Sequence, residues 1–279
     1  MKPTPLYLAI TILGILLLAS ARIAHADPLT HTGLDAGYYD MYNLDFNGAH
    51  QVFTGWMAEH PRDPMGPASD AAAYLFDEFN RLGVYDVELF ADDDKFVDRK
   101  RLEISPPIRQ LFEQRIVQAD ALATAALKQN PRDARALYVR TVVAGMHADV
   151  AAMIDKKDYA ALKFTEQGSK LAEQTLAVDP NLYDAHIAVG VQNYMLALKP
   201  AIMRIFFFLR GDSMDKEEGI RQLRICAEKG HFLAPFARLM LAVCDLRSND
   251  KAGARQLLAG LAQEFPNNTL YQRQLNLIH

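Results

Sequence analysis

From Leu34 onward, apolar residues recur three and four positions apart in one segment after another, and most segments stop at a proline or glycine corner. The stretch from Ala119 to Tyr138 holds the whole pattern. Ala119, Ala123 and Ala126 share one helix face, Pro131 stops that helix, and Asp133 is placed to cap the next. Similar corners at Pro61, Pro180 and Pro266 predict a chain of helical hairpins. The spacing predicts two helical pieces within Leu34 to Met57, broken at Asn47-Gly48, with Ala49, Phe53 and Trp56 facing inward. Ser69 and Asp70 cap a helix from Ala71 to Leu82, and Ser105 caps one that opens on Pro106-Pro107 and runs to Gln129. Further helices are expected from Ala134 to Ile154, Tyr159 to Val178, Tyr183 to Leu198, Asp215 to Lys229, Leu233 to Leu246 and Lys251 to Glu264, with a short closing helix after Pro266-Asn267-Asn268. Alternating β-branched runs are nearly absent, so the class is all-α.

Between about 84 and 104 the period is lost, which reads as an ordered insertion. Its triplet Asp92-Asp93-Asp94 is acidic enough to suggest calcium, but the spacing, the central glycine and the closing glutamate of an EF-hand loop are missing. A solvated loop fits it better.

Counting back twelve, eight and five residues from each closing proline gives Ala49, Phe53, Trp56; Ala119, Ala123, Ala126; Gly168, Ala172, Thr175; and Ala254, Leu258, Leu261. This register of small and apolar residues behind a proline resembles the tetratricopeptide repeat family. The resemblance implies a right-handed α-solenoid of four to five helix-turn-helix hairpins over residues 27–279, and it is strongest in the last unit, where Gly230 and Pro266 lie 36 apart. Prolines 70 and 49 apart depart from the family's repeat of about 34 residues and imply lengthened hairpins. The segments LFDEFNRLGV and RGDSMDKEEG also look like exported bacterial repeat proteins of undefined function.

The first residues change the picture of where such a fold works. Lys2, an apolar run from Leu6 to Ala19 and the small-residue site Ala24-His25-Ala26 have the outline of a signal peptide over residues 1–26. The run is short for a bilayer span, which takes about 20 residues. Export to the periplasm is therefore expected, with a retained N-terminal membrane anchor as the alternative. Loss of Lys2 and Arg22 would move the net charge from −4 to −6, which leaves no general basic surface for nucleic acid. Cys226 and Cys244 are the only cysteines; they fit either a disulfide of an exported protein or two small buried side chains on successive helices.

Motifs for chemistry are missing. The sequence contains no HExxH, no GxSxG, no phosphate loop and no dinucleotide fingerprint, and no two of its eight histidines have the i, i+4 spacing of a helical metal pair. No enzyme, metal or cofactor is expected, and an unrecognised hydrolase is the weakest reading. A non-catalytic scaffold for an unidentified protein or peptide fits best, because the first helix of each hairpin in the resembling family lines a concave binding face. The family pattern puts Tyr138, Val142 and Met146 on that face, then Ile187, Val191, Tyr194 and Met195, then Phe236, Leu239 and Val243. Apolar and aromatic side chains stand where some relatives carry the Lys and Asn of a carboxylate clamp, so no such clamp is expected. The same stripe fits a buried core equally well. The competing function is a membrane-surface or apolar-ligand binder that uses the run from Ile202 to Leu209, with Ile205, Phe206, Phe207 and Phe208 at its centre. Folded against its neighbours, that run would be ordinary core.

Overall fold

The computed structural model describes residues 31–84, 102–197 and 215–278. The signal-peptide segment, the acidic triplet and the IMRIFFFL run, with Ile205 to Phe208, lie outside the described residues. Everything described is helix, turn or loop. The helices are α1 (Leu34–Tyr42), α2 (Phe46–Glu59), α3 (Met65–Arg81), α4 (Pro106–Gln129), α5 (Ala134–Asp149), α6 (Asp158–Val178), α7 (His186–Ala197), α8 (Lys216–Lys229), α9 (Ala234–Arg247), α10 (Lys251–Glu264) and α11 (Thr269–Leu277). A π-helical turn, Val150–Ile154, prolongs α5, and a 3-10 turn, Tyr183–Ala185, leads into α7.

The closing corners are built alike, and the proline is the reason. At Pro61, Pro131, Pro180 and Pro266 the residue before proline cannot stay helical. Its amide closes the helix on the carbonyl four residues back (His60 to Trp56, Asn130 to Ala126, Asp179 to Thr175, Phe265 to Leu261), while its own carbonyl accepts from the amide three residues on. Gly230 ends α8 with the same closing bond, to Cys226. Asp133 and Asn268 then cap α5 and α11 by accepting the amides of Ala136 and Leu270. In front of these corners Ala49, Ala119, Ala123, Ala172, Thr175, Ala254, Leu258 and Leu261 are fully buried, the close-packed register that their spacing predicts.

Helices pack mainly on their sequence neighbours, as in a solenoid: α1 on α2, α3 on α4, α5 on α6, α7 on α8 and α9 on α10. The first helices of the hairpins also meet one another, α1 with α3, α3 with α5 and α5 with α7, and so form the inner layer. The helix α5 with its π turn has the length and apolarity of a membrane span, but it is mostly buried, packed on α4 and α6 and facing the inner layer. A helix that is apolar all round belongs in a core.

Two local expectations are corrected. The break between the first helices falls at Asn43-Leu44-Asp45 rather than at Asn47-Gly48. There Leu44 takes a positive φ of 65°, and Asp45 caps α2 by accepting the Gly48 amide. The third helix begins at Met65, so Ser69 and Asp70 are inside it, not at its cap. Both are fully buried and both have partners. Ser69 donates to the Tyr38 hydroxyl at 3.1 Å, and Asp70 holds His50 on α2 and Arg115 on α4, each at 2.6 Å. This carboxylate ties three helices together, which is the circumstance in which a buried charge is tolerated. Cys226 and Cys244 are free thiols, buried in a small C-terminal cluster with Ile187, Tyr194 and Leu223.

The chain also does something that nearest-neighbour stacking does not require: α1 docks on the far end of the molecule. Tyr42 donates its hydroxyl to the Phe232 carbonyl at 2.9 Å, and its own carbonyl accepts from Asn268 at 2.7 Å. The Asn43 side chain accepts the Asn267 amide, and the Tyr38 ring stacks on Phe232 with centroids 4.5 Å apart. The solenoid therefore closes on itself.

Candidate functional site

Closure turns the inner face into a cavity of about 170 Å³ with largely apolar walls. Helix α5 supplies its longest side. Tyr138, Val142, Gly145 and Asp149 follow one another at four, three and four residues, which stacks them on one helix face over about 16 Å at 1.5 Å per residue. Opposite stand Tyr38, Met41 and Tyr42 of α1 with Ala72, Leu75 and Phe76 of α3; α7 adds Ile187 and Val191, and Phe236 of α9 and Phe164 of α6 complete the wall. Gly145 faces real space: a Cβ built on it meets no atom within 4 Å.

Six of the ten residues predicted for the concave face line this cavity: Tyr138, Val142, Met146, Ile187, Val191 and Phe236. The other four do not. Tyr194, Leu239 and Val243 are packed in the core at 5%, 2% and 6% exposure, and Met195, 41% exposed, is on the outside. The reason is geometric for the C-terminal hairpins, where Tyr194 meets Leu223, Cys244 and Leu241 of α8 and α9 instead of an open face.

The polar groups on the wall differ in whether they are satisfied. Tyr38 and Tyr42 each have a hydroxyl partner, Ser69 and the Phe232 carbonyl. Thr141 and Thr165 donate to carbonyls of their own helices, Leu137 and Ala161. The Tyr138 hydroxyl has no hydrogen-bond partner although the residue is only 2% exposed, and such a group costs roughly 1–3 kcal/mol when nothing satisfies it. Asp149 is the other exception. It is reached by water yet surrounded by protein, because its surface opens into the cavity. Among the described residues no cation faces it, and desolvation by the surrounding protein pushes its carboxyl up to about 7. It is also the last residue of α5 before the π turn.

Asp184, which the sequence pattern did not single out, holds the floor beside this site. It is 2% exposed and accepts the amides of His231, Phe232 and Leu233 at 2.8 to 3.1 Å, so it fixes the turn into α9 against which α1 packs. Burial raises its carboxyl, and the three amides pull it back. Gly230 is required here: a Cβ would lie 2.5 Å from the Cys226 carbonyl and 2.8 Å from Asp184 Oδ1. Asp149 itself was within reach of the sequence, since extending the Tyr138–Val142 stripe by two more steps arrives at it. Closure by α1 was not, because its partners are about 190 to 226 residues away along the chain.

Among the described residues no three His, Cys, Asp or Glu side chains gather as a metal site. Comparisons with family models, with curated proteins and with solved structures give no match. The likeness to tetratricopeptide repeats thus rests on the proline register and the hairpin packing.

Proposed function

We propose that this protein is a non-catalytic binding scaffold of the cell envelope whose ligand enters the inner-face cavity with its apolar part. One observation carries the reading: the inner helices of all five hairpins converge on an apolar space that the described residues leave unfilled, with Gly145 at its wall. Natural cores leave few voids larger than a water molecule, and a void costs stability in proportion to its size. A cavity kept open on the face where repeat proteins bind is thus better read as a site than as a packing fault. The N-terminal apolar run with its Ala24-His25-Ala26 site supports export. An apolar segment of a partner protein and a small molecule both meet the requirement of the cavity walls.

The test uses N-phenyl-1-naphthylamine, an uncharged dye that brightens in apolar surroundings. The mature chain should raise its fluorescence saturably, and Gly145→Phe, which projects a ring into the free space, should abolish the rise while leaving the circular dichroism spectrum unchanged. Equal brightening by the wild type and the variant would place the dye elsewhere and remove the cavity from the account.

A further inference from the structure

The one carboxylate on an otherwise largely apolar cavity wall defines the head group that the ligand carries. Asp149 offers a carboxylate that no cation faces among the described residues, at an end of the cavity that water reaches. Tyr138 offers a buried hydroxyl with no partner, three helical turns away on the same face of α5. Between them the wall is Val142 and Gly145, with no charged side chain on that face. An anion would meet like charge at Asp149. A neutral hydrocarbon would leave the Asp149 carboxylate without a partner, and a short cation would leave most of the cavity empty.

On the reading that this cavity is the ligand site, we infer that it takes an elongated apolar amine, with the ammonium against Asp149 and the hydrocarbon body along Val142 and Gly145 toward the Tyr138 hydroxyl. The ammonium donates to a carboxylate that has lost part of its water, where a charge-assisted hydrogen bond is stronger than at a surface. The space itself sets the body: a dry cavity of about 150 Å³ holds a benzene ring, so about 170 Å³ suits a chain or ring of comparable size. The water-accessible end lets the head group enter last and keep part of its hydration. A lysine side chain has the same head group, but its four-carbon stem falls well short of the roughly 16 Å from Asp149 to Tyr138.

Calorimetric titration of the mature chain at pH 8 with octylammonium, 1-octanol and octanoate separates the head group from the chain, and Nα-acetyl-lysinamide stands for a peptide lysine. Octylammonium should bind about tenfold or more tightly than octanol, the factor that corresponds to roughly 1.4 kcal/mol, and octanoate should bind most weakly. Asp149→Asn should bring octylammonium and octanol to equal affinity, and Tyr138→Phe should leave their ratio unchanged. Octanol and octanoate binding as well as octylammonium would overturn the inference and leave the cavity as an apolar site. Failure of all three octyl probes would overturn both the inference and the reading it rests on. Acetyl-lysinamide matching octylammonium would overturn the small-molecule assignment in favour of a peptide.

Discussion

Asp149 on α5 is held in a protonation state that bulk water would relieve, and this has a measurable consequence. Asp149 keeps its proton to about pH 7 in the folded chain, whereas an unfolded aspartate loses it near pH 4. The folded state therefore binds the proton more tightly, and stability falls as pH rises between those two values. Below about pH 4 both states are protonated and the penalty is absent; above about pH 7 it is fully present. Asn has nearly the same shape and no charge. Asp149→Asn should thus match the wild type in urea midpoint at pH 4 and exceed it at pH 8, with no ligand added. A midpoint difference independent of pH would mean that Asp149 does not titrate in the way its surroundings dictate. At Tyr138 the ring lines the cavity, while its hydroxyl is buried without a hydrogen-bond partner.

At the scale of helices, the corners and faces were legible from the amino-acid sequence because they depend on local chemistry. Proline at 61, 131, 180 and 266 removes an amide and biases the residue before it, and small residues at fixed distances ahead of it let the next helix approach, whatever the rest of the chain does. Helices α7 and α8 approach closely enough for backbone to meet backbone. Gly190 and Gly219 face each other there, and a Cβ on Gly219 would come within 2.7 Å of the Tyr194 amide nitrogen and 3.0 Å of the Gly190 carbonyl. Gly219→Ala gains about 1 kcal/mol of helix propensity, but the backbone it meets has no freedom to move aside. The clash should win, with a net loss of roughly 1–3 kcal/mol in urea unfolding. A stabilised Gly219→Ala chain would show that the two helices stand farther apart. Helix starts were less legible where tertiary bonds override local preference. Ser69 and Asp70 have the composition of a cap, yet they sit within α3 because Tyr38, His50 and Arg115 satisfy them from other helices. Of the concave stripe, Tyr138, Val142 and Met146 on α5 and Ile187 and Val191 on α7 line the cavity, whereas Tyr194, farther along α7, is covered by α8 and α9.

At the scale of the whole molecule, the return of α1 distinguishes this chain from an open solenoid. In an open array each repeat feels only its neighbours and the ends fray first. Here the Tyr42 and Asn43 contacts with Phe232, Asn267 and Asn268 couple the first hairpin to the last, and the Tyr38–Phe232 stack seals the cavity wall beside them. That closure converts an apolar inner face, which alone would be core or a groove, into a cavity that opens to water at Asp149 and ends at Tyr138. Everything proposed about the ligand depends on the space being real and empty of side chains. Xenon binds in dry apolar cavities of this size, so a crystal of the mature chain pressurised with xenon tests the point directly. The account predicts a xenon peak beside Gly145, between Val142 and the α1 and α3 walls. No xenon there, with Tyr138 or Phe236 collapsed into the space, would contradict it.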